Sequence, residues 1–67
     1  MTEKEFLTGC KFHPVYRTIV IWPEGWFDYA LLNSLVDHGL LRRTTHPWLY
    51  SHTDYTLTEK GEALLNN

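Results

Sequence analysis

The alternation of apolar and polar positions divides the chain into six segments. Between Asp28 and Gly39, the residues Leu31, Leu32, Leu35 and Val36 recur at about 100° per residue, the spacing of one helical stripe. Ala30, Asn33, Ser34 and Asp37 fall on the opposite side, with Tyr29 and His38 on the flanks. Asp28 is a good N-cap and Gly39 a good residue just past the C-terminus, so this segment predicts the main helix. Its apolar stripe belongs to the core, and its polar side is what a partner would meet. Upstream, Thr2-Glu3-Lys4-Glu5 has the spacing of a capping box ahead of Phe6 and Leu7, and Gly9 stops the element. A short helix over residues 2–8 is expected. Residues 11–14 read as a connector. Residues 15–22 are β-branched and aromatic and are closed by Pro23-Glu24-Gly25, which predicts a strand. A short buried helix there is the other reading. The alternation is poor: Val15, Ile19 and Ile21 share a face with Arg17, while Tyr16, Val20 and Trp22 share the other with Thr18. Both faces therefore need cover, and a second subunit is the expected source of it, which predicts a homodimer.

Downstream, residues 42–45 and 53–57 read as the arms of a hairpin, with Tyr55 and Leu57 inward and Asp54 and Thr56 outward. The tip, residues 46–52, is too long for a two-residue turn and unusually apolar for a loop. Thr58 then caps a closing helix that carries Ala63, Leu64 and Leu65, with Glu59 near the positive end of its dipole. The result is one α+β domain over residues 1–67, in the order α-β-α-β-β-α, with no linker, repeat or low-complexity segment.

Size sharpens this picture. A chain of 67 residues buries only about 60% of the surface its unfolded form exposes. Three Trp, four Tyr and three Phe offset that, because large rings bury much apolar area at little entropic cost. The single cysteine excludes an internal disulfide. No apolar run is long enough to span a bilayer, and Thr2 to Glu5 is too polar to begin a signal peptide, so a cytoplasmic protein with no membrane partner is expected. A formal net charge of −2 weighs against nucleic acid, whose binding draws on neutralised phosphates. A local basic patch would still suffice, so placement matters more than the sum.

Residues 28–65 resemble the C-terminal half of winged helix-turn-helix domains. The resemblance rests on Leu35 ahead of His38-Gly39-Leu40, then Arg42-Arg43, then Leu57-Thr58-Glu59-Lys60-Gly61, a pattern similar to MarR- and PadR-type regulators. It implies a recognition helix ending in a Gly-Leu turn, a two-stranded wing and a last helix, and it implies DNA binding as a dimer. The departure lies upstream, where a further helix should lead into the recognition helix and residues 15–22 look like a strand instead.

The recognition helix implied by the resemblance contains no lysine or arginine. It would present Tyr29, Ala30, Asn33, Ser34 and Asp37, of which Asn33 suits adenine and Ser34 suits a base or phosphate, while Asp37 repels the backbone. Arg42 and Arg43 open the wing but point to opposite faces, and Arg17 and Lys11 would have to join them to make a patch. Trp48, Leu49 and Tyr50 at the wing tip are the strongest functional signal, since clustered exposed aromatics are typical interface anchors. The alternative is that Trp48 folds back onto a core-starved body. Trp22, Trp26 and Phe27 form a second aromatic group expected in the core. Cys10-x-x-His13 and His46-x5-His52 supply atoms that zinc accepts, at an irregular spacing. A partly exposed, pH-sensitive pair of wing histidines is the preferred reading, with no metal or cofactor. Cys10 with His13 lacks a third orienting group, so no catalytic residue is nominated. The expected function is that of a small non-catalytic regulatory or inhibitory protein that binds a protein partner through Trp48, Leu49, Tyr50 and Tyr29. The alternative is a DNA-binding regulator using Asn33, Ser34, Arg42, Arg43 and Arg17.

Overall fold

The structure, a computed structural model, describes residues 1–67. Three helices and two two-stranded antiparallel sheets follow in the order α1 (Glu3–Gly9), β1 (Lys11–Phe12), β2 (Ile19–Ile21), α2 (Tyr29–Asp37), β3 (Leu41–His46), β4 (His52–Leu57) and α3 (Glu59–Leu65). The chain is α+β, as its pattern predicts, but it carries one strand more than expected.

Each helix starts where its cap predicts. Thr2 accepts from the Glu5 amide while the Glu5 carboxylate accepts from the Thr2 amide, which closes the capping box of α1. Asp28 accepts from the Leu31 amide at the head of α2, and Thr58 accepts from the Gly61 amide at the head of α3. Gly39 ends α2 in the left-handed region at φ 74°, where a Cβ would be resisted. The chain then returns Leu40 and Leu41 to the core. Gly61 is needed for a different reason. A Cβ there would collide with the Leu40 carbonyl oxygen and lie 2.7 Å from a Leu57 methyl, so its hydrogen alone lets α3 pack on the base of the β3–β4 hairpin. The Thr58 hydroxyl reinforces this join by donating to the Leu40 carbonyl at 3.0 Å.

The segment over residues 15–22 corrects the sequence reading. Only Ile19–Ile21 is strand, and its partner is Lys11–Phe12, which the pattern assigned to a connector. Pro14, Val15, Tyr16 and Arg17 make the turn between them. The reason is local: His13 Nδ1 accepts from the amides of Val15 and Tyr16, both at 3.1 Å, and so competes with a strand ladder. Arg17 closes the turn at φ 61°. Val15, Tyr16, Val20 and Ile21 are left exposed. The edge at the start of β2 does find a neighbour within the chain, because Thr18 bridges Thr56 and the Leu57 amide donates to the Arg17 carbonyl. The two small sheets thus lie side by side, with β2 next to β4.

The hairpin arms run one residue further at each tip-proximal end than expected, in register from Leu41 opposite Leu57 to His46 opposite His52. The core is small: Phe6 and Leu7 from α1, Cys10, Leu32 and Leu35 from α2, and Leu40, Leu41 and Leu57 at the base of the β3–β4 hairpin. An aromatic ladder widens it. Trp22 and Trp26 stack at 4.9 Å, Phe6 meets both edge-on, and Tyr55 and Tyr29 close the two ends against Trp22 and Trp26. Phe27 corrects a second expectation. It lies 90% exposed, outside the core group to which the sequence assigned it.

Candidate functional site

The far end of the hairpin is built from two successive turns. The Leu49 amide donates to the His46 carbonyl at 3.0 Å, and the His52 amide donates to the Leu49 carbonyl at 2.9 Å. Pro47 suits the second position of the first turn, because its ring already fixes φ. The second turn places both Tyr50 and Ser51 in the left-handed region, at φ 52° and 55°. That geometry normally selects Gly or Asn. A non-glycine residue pays roughly 1–2 kcal/mol there, and two occupy it in a row. Nothing in the fold recovers that cost through packing, since Tyr50 is 99% exposed, Trp48 79% and Leu49 52%. Trp48 does not fold back onto the body. Its one aromatic contact is with His46, edge to face at 5.2 Å.

Behind the tip lies a cluster that the sequence reading named only in part. Asp54 grips both histidines, His46 Nε2 at 3.0 Å and His52 Nε2 at 2.8 Å, one on each carboxylate oxygen. The two rings stack 6.1 Å apart within 20° of parallel. The signal was present: His52 and Asp54 are two apart and so share a strand face, and His46 lies opposite His52. No group of three or more His, Cys, Asp or Glu side chains is arranged to hold a metal ion.

The residues nominated for DNA are brought together, but against one another. Asn33 accepts from the Arg43 guanidinium, which also reaches the Tyr55 hydroxyl and lies 5.5 Å from that ring's centroid. Ser34 donates to Glu3 at 3.0 Å, so α1 covers part of the polar face of α2. Arg17 pairs with Glu62 on α3. Of the five, Arg42 alone makes no side-chain bond. Tyr29 is exposed, yet it belongs to the aromatic ladder, where its ring meets Trp26 edge-on at 5.5 Å.

Two groupings of nucleophile, histidine and acid types lack the geometry of a catalytic relay. Cys10 is buried, which pushes its thiol up to about 12, and the His13 ring faces its own turn instead. Ser34, His38 and Glu3 form a serine-histidine-carboxylate trio, but the hydroxyl at 3.4 Å and the carboxylate at 2.7 Å share one imidazole nitrogen. A relay needs them on opposite nitrogens. This trio instead ties the start of α1 to the end of α2. The shallow groove between α1 and the Pro23–Glu24 turn is lined mainly by polar side chains, among them Thr2 and Glu5 already spent on the capping box.

Set against protein-family models, curated proteins and solved structures, the chain matches none. No helix is long and apolar enough to cross a membrane.

Proposed function

We propose that this chain is a small non-catalytic regulatory or inhibitory protein that docks onto a protein partner through Trp48, Leu49 and Tyr50. The observation that carries this reading is the exposed run of three large apolar side chains on a turn held in a backbone form that favours glycine. Burying a Trp of about 200 Å² at roughly 25 cal/mol per Å² supplies several kcal/mol of gross association energy. In the fold it supplies almost none. The free, buried cysteine suits a reducing cytoplasm. We further read the chain as a winged-helix variant in which the β1–β2 hairpin stands where a helix would lead into α2. The position of β2 beside β4 supports that reading. A homodimer formed over the exposed Val15, Tyr16, Val20 and Ile21 belongs to the same proposal, and a monomeric mass by light scattering at high concentration would exclude it.

DNA reading through α2 has less support, because Asn33 and Ser34 are already bonded to Arg43 and Glu3 and α2 presents no cation. The two readings separate in one comparison. Partner capture from lysate should survive nuclease treatment, and duplex binding at low ionic strength should be absent. Duplex binding that weakens steeply with salt and depends on Arg42 would reverse the assignment.

A further inference from the structure

One edge of the β3–β4 hairpin has no neighbouring strand. β4 has β3 on one side and Thr18 on the other, whereas β3 pairs with β4 alone. The Leu57 amide donates to the Arg17 carbonyl and so points away from β3, which makes Leu41 opposite Leu57 a pair without mutual hydrogen bonds. The Thr58 amide, donating to the Leu40 carbonyl one step earlier, sets the same phase. Antiparallel alternation then turns the amides and carbonyls of Arg42 and Thr44 toward β4 and those of Arg43 and Thr45 outward. Arg42, Arg43, Thr44 and Thr45 are all exposed, in keeping with an open edge. β1, the other outer strand, is only two residues long against six for β3. An outward row of unpaired amides and carbonyls is a template for a further strand.

Charge decides what that strand is. β3 carries Arg42 and Arg43 and no acid. A second copy's β3 laid alongside would bring two pairs of guanidinium groups together, and like charges across a strand pair are destabilising. The same groups favour a strand that carries carboxylates. Neither arginine is ion-paired within the chain, whose carboxylate pairs are Arg17–Glu62, His38–Glu3 and the two tip histidines with Asp54. Arg42 makes no side-chain bond, so its whole fork of donors is free. Arg43 spends one N–H on the Tyr55 hydroxyl and one on the Asn33 carbonyl, both neutral acceptors, and the rest of its donors remain. The two side chains project from opposite faces of β3, so only adjacent acids on the incoming strand meet both. A nucleic-acid backbone offers acceptors to the arginines but no donors to the outward carbonyls of Arg43 and Thr45.

We propose that β3 is a docking edge for an extended acidic segment of a protein partner, which adds to the hairpin as an antiparallel strand with two adjacent carboxylates set against Arg42 and Arg43. The segment's place in a partner rests on the docking reading above, but the edge itself is tested without Trp48. The probe is a capped peptide of Thr and Val with two adjacent glutamates at its centre, titrated into the isotope-labelled whole chain and followed by NMR. The Arg43 and Thr45 amides should shift downfield and exchange more slowly as the peptide is added. The Arg42 and Thr44 amides, already turned to β4, should change less. A peptide with glutamine in place of both glutamates should bind about five-fold more weakly, and Arg42→Gln, which loses no internal bond, should weaken the acidic peptide about two- to three-fold. The Leu35 and Leu40 amides report whether that variant keeps its fold. Arg43 and Thr45 amides that stay unmoved at millimolar peptide, or equal binding of the glutamine peptide, overturn the proposal. The same amides shifting with protein concentration alone would give the edge to a second copy, and a response to a short DNA duplex but not to the peptide would give the arginines to phosphate. Either result also overturns it. All of these outcomes leave the Trp48 reading to its own capture experiment.

Discussion

Tyr50 and Ser51 hold left-handed backbone at the tip, where the fold offers no packing to repay it. Tyr50→Gly should therefore raise stability by roughly 0.5–1 kcal/mol in denaturant unfolding, since Gly adopts this conformation freely but has more freedom to lose on folding. The same change should weaken partner capture. A loss of stability would show that the Tyr50 ring packs somewhere it is not seen to pack. Gly61 makes the opposite case, because its missing side chain is structural. Gly61→Ala sets a Cβ against the Leu40 carbonyl and should lower stability by about 3 kcal/mol, read as a fall in the urea midpoint. These two positions mark what single residues reveal in sequence. The Leu57-Thr58-x-x-Gly61 spacing marks the start of α3 and Gly39 the turn after α2, whereas the close approach at Gly61 emerges only from the packing. Tyr50 and Ser51 gave no sign of a left-handed turn, because the residue types that announce one are absent. Phe27 misled because an aromatic beside Trp26 in sequence need not face the same way.

Caps made the helices legible, and competition made the strands hard to read. Thr2, Asp28 and Thr58 each satisfy an amide that the first turn leaves free, and all three were evident from residue type and spacing. Residues 11–22 were misread because a His13 imidazole caps the turn inside a run that β propensity alone would extend. His13→Ala should loosen the β1–β2 turn, with faster exchange of the Val15 and Tyr16 amides while core amides keep their rates. The capping box of α1 carries a pH dependence of its own. Hydrogen bonds from Thr2, backbone first and side chain second, hold the Glu5 carboxyl below the ordinary carboxylate range. A depressed carboxyl contributes stability above its unfolded-state value, and that contribution disappears as pH falls through the folded one. The α1 amides should lose protection as acid protonates Glu5, below about pH 4. Glu5→Gln should be insensitive over the same interval, and equal sensitivity would assign the effect to another acid.

The molecule as a whole is drawn out by its β3–β4 hairpin. Its radius of gyration is 11.6 Å against about 11 Å for a compact chain of this length, and its longest dimension is 37 Å against 21 Å for the shortest. The core and aromatic ladder lie toward one end of the hairpin and the exposed tip at the other, which separates what holds the fold from what is free to bind. At this scale the α+β class and the β3–β4 hairpin are legible in the sequence. It could not show that Asn33, Ser34, Arg43 and Arg17 would spend their polar groups on one another and on Glu3 and Glu62. Side-chain pairing across distant segments has no local signature. The central claim is that Trp48 serves binding and not folding, and one variant tests both halves. Trp48→Ala should keep its unfolding free energy within about 0.5 kcal/mol, as a surface change does. In the same preparation, capture of a protein partner from nuclease-treated lysate should fall by about 30-fold or more, the loss expected of a hot-spot residue. A clear drop in melting temperature with capture unchanged would contradict the account.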